Sequence, residues 1–245
     1  MKSLCFILSI VALSHSVCAQ DSLKYSTVSL SLGANRILNK DRFQSPYTYK
    51  GINLPVAVRY SRITPRLEQH VLLSYSAGGI KSSVSPRANN QLLVFNYDYL
   101  LRIRSGSGRF VFFAGPSMQM FLDRVNYLPH IEEPTSYLTG AANLSLTGLA
   151  RYTIDGRSSL SLKVSVPIVG VVYRPDFEIY GKTRADVASF INGSIYGVDL
   201  QYRYTLTSRV SAVAGYSFNY FRFDKPRSID MLWSGFSVGV SMRFR

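Results

Sequence analysis

Thr27-Val28-Ser29-Leu30-Ser31-Leu32-Gly33-Ala34 puts an apolar residue at every even position and a small or polar one at every odd position. A period of two belongs to an extended strand, whose side chains point alternately to opposite faces, so this stretch has one aliphatic face and one polar face. The alternation returns in Ile52-Asn53-Leu54-Pro55-Val56-Ala57-Val58-Arg59-Tyr60 and in Leu160-Ser161-Leu162-Lys163-Val164-Ser165-Val166. It also closes the chain, in Phe236-Ser237-Val238-Gly239-Val240-Ser241-Met242-Arg243-Phe244. The polar face is made mostly of Ser, Thr, Gly, Asn and Arg, the other of Leu, Val, Phe and Tyr.

Extending this reading along the chain predicts ten strands, at 24–37, 51–63, 67–78, 90–104, 109–122, 137–153, 158–169, 194–206, 210–222 and 231–244. Their connectors alternate in length. Thr64-Pro65-Arg66, Ser105-Gly106-Ser107-Gly108, Asp155-Gly156-Arg157 and Thr207-Ser208-Arg209 read as tight turns. Longer polar stretches lie near 38–50, 79–89, 123–136, 170–193 and 223–230. The spacing predicts an up-and-down sheet with every short turn at one end and every long loop at the other, both termini falling at the short-turn end.

A soluble sandwich also has period two, but its loops have no reason to segregate by length and its strands usually run to about 5 or 6 residues. Here the strands are far longer, and aromatic residues gather near their ends. Tyr60, Tyr99, Phe110, Tyr152, Tyr202, Tyr204 and Phe244 lie toward the short turns, and Tyr75, Tyr196, Phe218 and Tyr220 toward the long loops. Two aromatic bands around an aliphatic middle match the depth profile of a lipid bilayer.

Composition agrees. The chain has 245 residues, 47% apolar and only 17% charged, with 28 Lys and Arg against 14 Asp and Glu. Disordered chains pair low hydrophobicity with high charge, which is the reverse. After the first twenty residues, no run reaches the roughly 18 apolar residues of a membrane helix. The expected fold is all-β, an antiparallel up-and-down transmembrane barrel in which lipid-facing and lumen-facing residues alternate.

The first segment reads as an export signal. Met1-Lys2-Ser3 is followed by an apolar core from Leu4 to Leu13, too short to span a bilayer, and then by a small-residue exit with Val17 and Ala19 at the positions a signal peptidase inspects. Cleavage after Ala19 divides the chain into a signal peptide, 1–19, and a single barrel domain, 20–245. Cys5 and Cys18 both fall in the removed part, so the mature chain is expected to carry no disulfide, thiolate metal site or cysteine nucleophile.

With this signal, alternation, turn asymmetry and final strand Phe236 to Phe244, the chain resembles the small outer-membrane β-barrel proteins of Gram-negative bacteria across nearly its whole mature length. The resemblance implies a cell outer-membrane location reached through the periplasm, contact with outer-membrane lipid and lipopolysaccharide, and handling by the barrel-assembly machinery. One departure is that Arg245 follows the terminal aromatic Phe244. The resemblance says little about function, since such barrels serve as pores, enzymes, adhesins and anchors.

Candidate chemistry is sparse. His70 lies on the third strand, on the polar face with Glu68 and Ser74. Residues four apart on a strand are about 14 Å apart, so a Ser74-His70 catalytic pair is out of reach and His70 reads as a lumen hydrogen-bonding residue. His130, in the loop with Asp123, Glu132 and Glu133, is the other surviving histidine. It suggests the acid/base half of a loop-rim hydrolase of omptin type, but matched acidic pairs are missing and the plain reading is a solvated loop. No catalytic residue, metal or cofactor is expected.

Parity directs a set of charges inward: Arg59, Glu68, Asp98, Arg102, Arg104, Arg151, Lys163, Asp199, Arg203 and Arg243, seven bases and three acids. One consequence is a small anion-preferring, porin-like channel, because a low-dielectric pore lined by one sign concentrates counter-ions. The other is a lumen filled by a basic-leaning polar network, favoured because barrels of about eight strands hold only side chains and open channels need about sixteen. Arg62, Arg66, Arg109, Arg157, Arg209 and Arg245 ring the tight-turn end, where lipid phosphates account for them and nucleic acid does not. Surface binding would fall to the loops, above all 170–193, with Tyr173, Arg174, Phe177, Tyr180, Lys182 and Arg184, a composition suited to a surface partner or a small anionic solute. The expectation is therefore an outer-membrane barrel with a structural, surface-binding or weakly conducting role.

Overall fold

The computed structural model describes residues 24–42, 45, 47–84, 87–103, 109–127, 136–176, 182–189, 193–225 and 227–244. The segment read as a signal peptide lies outside them, as do Arg104, His130, Glu132, Glu133, Phe177, Tyr180 and Arg245. The described residues form eleven strands: β1 (Tyr25–Asp41), β2 (Tyr49–Ile63), β3 (Leu67–Lys81), β4 (Ala88–Arg102), β5 (Phe110–Tyr127), β6 (Ser136–Thr153), β7 (Ser158–Asp176), β8 (Lys182–Ser189), β9 (Gly193–Thr205), β10 (Val210–Phe223) and β11 (Ile229–Phe244). Each strand pairs antiparallel with its neighbour, and β1 closes on β11 through an unbroken register from Ser26↔Phe244 to Asp41↔Ile229. Closure removes the edges of the ring, while β8 pairs with β7 alone among the described residues. Ten strands make the ring, and β8 is an addition to it.

Alternation decides which residues face out. Leu30 is paired across the sheet with Val58 and Val240, and all three are exposed on the exterior, while the interleaved Ser29 faces Arg59 and Ser241 within. Leu54, Val238 and Phe236 are each about two-thirds exposed, an exterior that only an apolar surrounding would stabilise. The aromatic residues named above for the two bands all lie at outward positions of their strands.

Several strands run further toward the long-loop end than the sequence predicts. β1 continues to Asp41, β5 to Tyr127 and β7 to Asp176. Residues 170–193, expected as the longest loop, are mostly sheet: β7 carries on and β8 returns beside it. The change of partner occurs at a bulge. β7 pairs with β9 from Ser158 to Ser165 and with β8 from Val169 to Asp176, and its register with β6 slips between Leu144 and Ser145. Pro167 sits at this slip, where a residue with no N–H to give the ladder is tolerated. One extra residue reverses the parity of β7, so Lys163 and Ser165 point inward below the bulge, and Val172 and Arg174 point inward above it.

The interior also differs from expectation. Toward the long-loop end it is an apolar core, not a polar lumen. Ile37, Tyr49, Ile80, Leu92, Phe121, Val125, Tyr127, Tyr137, Val172, Phe221, Phe223, Met231 and Trp233 pack there, all nearly inaccessible. Phe121 meets Phe221 edge-on at 4.9 Å and Trp233 at 5.4 Å, and Tyr127 bridges Tyr49 at 5.1 Å and Tyr137 at 5.7 Å. The outward residues at the same height are Lys40, Lys50, Lys81, Asn89, Gln91, Arg124 and Arg222. Apolar inside and polar outside is the pattern of a strand in water, so the top of the barrel rises above the lipid-facing belt.

Candidate functional site

Among the described residues, polar side chains from many strands converge in the interior, and its groups fall into layers. Uppermost is a clamp at the mouth. Arg174 of β7 reaches across to Asp41 of β1 at 2.6 Å and donates to the carbonyls of Lys225 at 3.1 Å and Arg227 at 2.9 Å, between β10 and β11. Within the apolar core lies a small polar network. The amides of Asn39 and Asn90 both donate to the carboxylate of Asp123, and Asn53 donates to Asn90 at 2.6 Å. Asp123 is thus an inward residue of β5, buried and hydrogen-bonded, and not a loop acid.

Next comes a belt of hydroxyls and amides, in which Ser117, Thr147 and Ser165 join in a chain and Ser145 donates to Gln119 at 3.2 Å. Short side chains reach one another here across paired strands, Thr147 and Ser165 from directly opposite positions and Ser117–Thr147 and Ser145–Gln119 on the diagonal.

Toward the short turns lie the charges. Lys163 of β7 bridges Asp98 of β4 at 3.0 Å and Asp199 of β9 at 3.2 Å. Arg151 of β6 clasps both oxygens of Glu68 on β3, at 2.6 and 2.8 Å. His70 joins the same carboxylate through Nε2 at 3.1 Å, and its Nδ1 meets the Ser61 hydroxyl at 2.8 Å. Glu68–Arg151 and Asp98–Lys163 each join strands three apart in the ring, and the remaining contacts join neighbouring strands or lie within β3. A charge taken out of water needs such a partner, because an isolated one carries a large desolvation cost.

The predicted inward charges do not all share this network. Glu68, His70, Asp98, Arg151, Lys163 and Asp199 are linked within it. Arg59 and Arg203 line the same space with no hydrogen bond or ion pair among the described residues. Arg243 lays its guanidinium over the Tyr25 ring at 4.3 Å, a cation–π contact. Arg102 has inward parity but emerges exposed at the end of β4, bonded to the Pro65 carbonyl at 3.3 Å, so it belongs to the rim and not the lumen.

Of the loop candidates, Tyr173 faces outward on β7, Arg174 faces inward at the mouth, and Arg184 on β8 is exposed and paired with Asp186 at 3.0 Å. Lys182 opens β8; its side chain lies outside what is described. Reading the stretch as a loop therefore misplaced Arg174, whose pull on Asp41 comes from strand parity above a bulge. Sequence reasoning also missed Asn39, Asn53, Asn90 and Asp41. The available signal was the reversal of alternation in Arg124-Val125-Asn126-Tyr127, polar out and apolar in.

Ser61, His70 and Glu68 form a hydroxyl–imidazole–carboxylate chain, the arrangement of a nucleophilic triad. Ser61, however, is only 2% exposed, and Glu68 is fully buried and doubly bound by Arg151, so the chain works as one of the ties across the lumen. Among the described residues no three His, Asp or Glu side chains gather as a metal site.

No family model matches the chain, and no curated protein matches it in sequence. Solved structures do match in shape. The outer membrane protease OmpT from Escherichia coli aligns with a TM-score of 0.56 at 9% identity, covering 94% of this chain and 100% of that one. Neisserial surface protein A aligns with a TM-score of 0.41 at 12% identity, over 89% and 97% of the two chains. Ail of Yersinia pestis aligns with a TM-score of 0.36 at 11% identity, over 89% and 99%. At such identities a likeness speaks for the fold alone, and proteolysis by OmpT says nothing about catalysis here. With the ring closed strand to strand and its outer belt aliphatic, the likeness to OmpT completes the assignment made from alternation: in fold, this chain is a small β-barrel of the outer-membrane kind.

Proposed function

We propose that the protein is a non-conducting outer-membrane barrel with a structural or surface-binding role, neither an open pore nor a hydrolase. The observation that carries this reading is the apolar seal: Ile37, Phe121, Phe221, Phe223 and Trp233 fill the interior below the Arg174 clamp, each at most 3% exposed. A hydrated ion crossing this layer would shed its water among hydrocarbon and aromatic groups with nothing to replace it, at a cost of many kcal/mol. A continuous anion-preferring pore is incompatible with that layer, although basic residues do line the polar half beneath it. Interaction with the outside then falls to the upper barrel wall and the β7–β8 hairpin. Lipid and lipopolysaccharide are the partners fitting the aliphatic belt and the lysines above it, and the barrel-assembly machinery fits the final strand Phe236 to Phe244.

Planar-bilayer recording tests the reading. The refolded chain is expected to give no stepwise conductance, and reproducible unitary steps would overturn it. The hydrolase alternative rests on His130; if a hydrolytic activity were found and His130→Ala abolished it, the non-catalytic role would fall.

A further inference from the structure

The polar half of the interior is not solid. On β1 the inward residues Ser29, Ser31 and Gly33, and on β11 Ser237, Gly239 and Ser241, are too short to reach the barrel axis, while longer side chains project from β4 to β7 opposite. A cavity of about 100 Å³ remains against β1, β2, β9, β10 and β11. Arg59, Asp199 and Gln201 line both this cavity and a smaller one of about 30 Å³ beneath it, so the two adjoin. A single water needs about 10–15 Å³ measured in this way, so the chamber has room for several, or for a tetrahedral oxyanion. Its lining ends above at Asn35 and Gly235, and the next inward residues along those strands are Ile37 and Trp233 of the apolar core. Below, Arg151 and His70 line the smaller cavity at the short-turn end, with 25% and 15% of their side chains accessible.

Its charge is unbalanced. The lower cavity is faced by Arg59, Arg151, Lys163 and Arg203 and by two carboxylates, Asp98 and Asp199. Lys163 already holds both carboxylates, and Glu68 holds Arg151. Arg59 and Arg203 make no hydrogen bond or ion pair to a carboxylate among the described residues; Arg203 lies within electrostatic range of Arg59 and Arg151, and of Glu68, which Arg151 already holds. Two half-buried guanidinium groups repel each other more strongly here than in water, and a shared anion would relieve that repulsion. Guanidinium donors are planar and forked, a geometry that suits oxyanions.

We infer that this chamber binds a small soluble oxyanion, of the phosphate or sulfate class, entering from the periplasmic side. Arg59 and Arg203 supply the charge, and Gln201 and Ser74 supply neutral hydrogen bonds from the same wall. A lipid headgroup is not the source, because β2 is paired residue by residue with β1 and β3 on both sides of Arg59. The inference goes beyond the sealed-barrel reading and fails separately from it, since a conducting barrel could still hold the ion.

The test is calorimetric titration with inorganic phosphate of the protein refolded from urea into a non-ionic detergent, where no lipid phosphate is present. One phosphate per barrel is expected, bound more weakly as sodium chloride rises. Arg59→Gln and Arg203→Gln should each weaken binding about tenfold, the loss of one charge-assisted hydrogen-bonding group. Ser31→Leu, which fills the chamber and leaves every charge in place, should weaken it at least as much. Arg36→Gln, on the outer face of β1, should leave it unchanged. Boiled and unboiled gel migration reports folding of each variant. Phosphorus NMR line broadening of phosphate by the unmodified protein, relieved by excess sulfate, provides a reading that needs no variant. Absence of saturable binding in the unmodified protein overturns the inference, and so does binding that all three interior variants leave intact.

Discussion

The two halves of the barrel interior are built on opposite principles. Toward the long loops, inward positions carry Ile37, Phe121, Phe221 and Trp233, packed as in the core of a soluble protein. Toward the short turns, inward positions on the same strands carry Ser29, Gln119, Ser211 and Arg243. The change follows what lies outside. Where lipid surrounds the wall, the apolar face turns outward and the interior receives whatever is polar; where water surrounds it, the apolar face turns inward. Stability is therefore expected to concentrate in the upper half, and polar binding in the lower.

The comparison can be broken by mutation, and the largest effect belongs to the seal. Phe121→Ala removes the ring that touches both Phe221 and Trp233. It should cost about 3–5 kcal/mol, as large-to-small changes in aromatic cores do. Urea unfolding followed through Trp233 fluorescence measures it, and a loss under about 1 kcal/mol would mean that the upper half is not a packed core.

Next is the tie through Glu68. Glu68→Gln keeps the shape but leaves Arg151 and His70 without a carboxylate. Breaking a fully buried pair costs about 3–5 kcal/mol, and since Arg151 is 25% exposed the expected loss is smaller, roughly 2 kcal/mol. Arg59→Gln, in contrast, removes a charge with no partner among the described residues. The same urea experiment should register a change within about 0.5 kcal/mol of zero, or a slight gain. Equal costs for the two variants would erase the distinction between paired and surplus charges.

The smallest effect lies outside the membrane, in the turn between β6 and β7. Asp155 accepts the backbone N–H groups of Arg157 at 2.7 Å and Ser158 at 2.6 Å, which hold its carboxyl below the ordinary 3.8. Its contribution to stability is thus present above that value and fades as pH falls through the lower folded one. NMR titration of the Asp155 side chain should give a midpoint below 3.8, and a midpoint at or above it would remove the turn's carboxylate anchor.

Much of the wall was legible in sequence because it depends on local signals. Asp155-Gly156-Arg157 and Thr207-Ser208-Arg209 form turns where predicted, and Leu30, Leu54 and Val238 face outward as their parity requires. The seal was hidden by the assumption that one face stays polar along the whole strand. Lys50, Lys81, Gln91 and Arg124 on the outer face, interleaved with Ile80, Leu92 and Val125, marked where that assumption failed. Arg174 was hidden for another reason, since one extra residue beside Pro167 reverses parity from there on. Partnerships across the lumen leave no local trace: Arg151 and Glu68 stand 83 residues apart, and Arg174 and Asp41 133 apart. Only closure of the ring brings them together.

The central claim is that the interior is sealed above and open to water below, and sided thiol labelling tests it most directly. Cys5 and Cys18 both fall in the segment read as removed, so Ser237→Cys would place a single thiol in the chamber beneath Trp233. In oriented proteoliposomes, a small charged thiol reagent should modify this position only when added on the short-turn side. Labelling at equal rates from both sides would contradict the account.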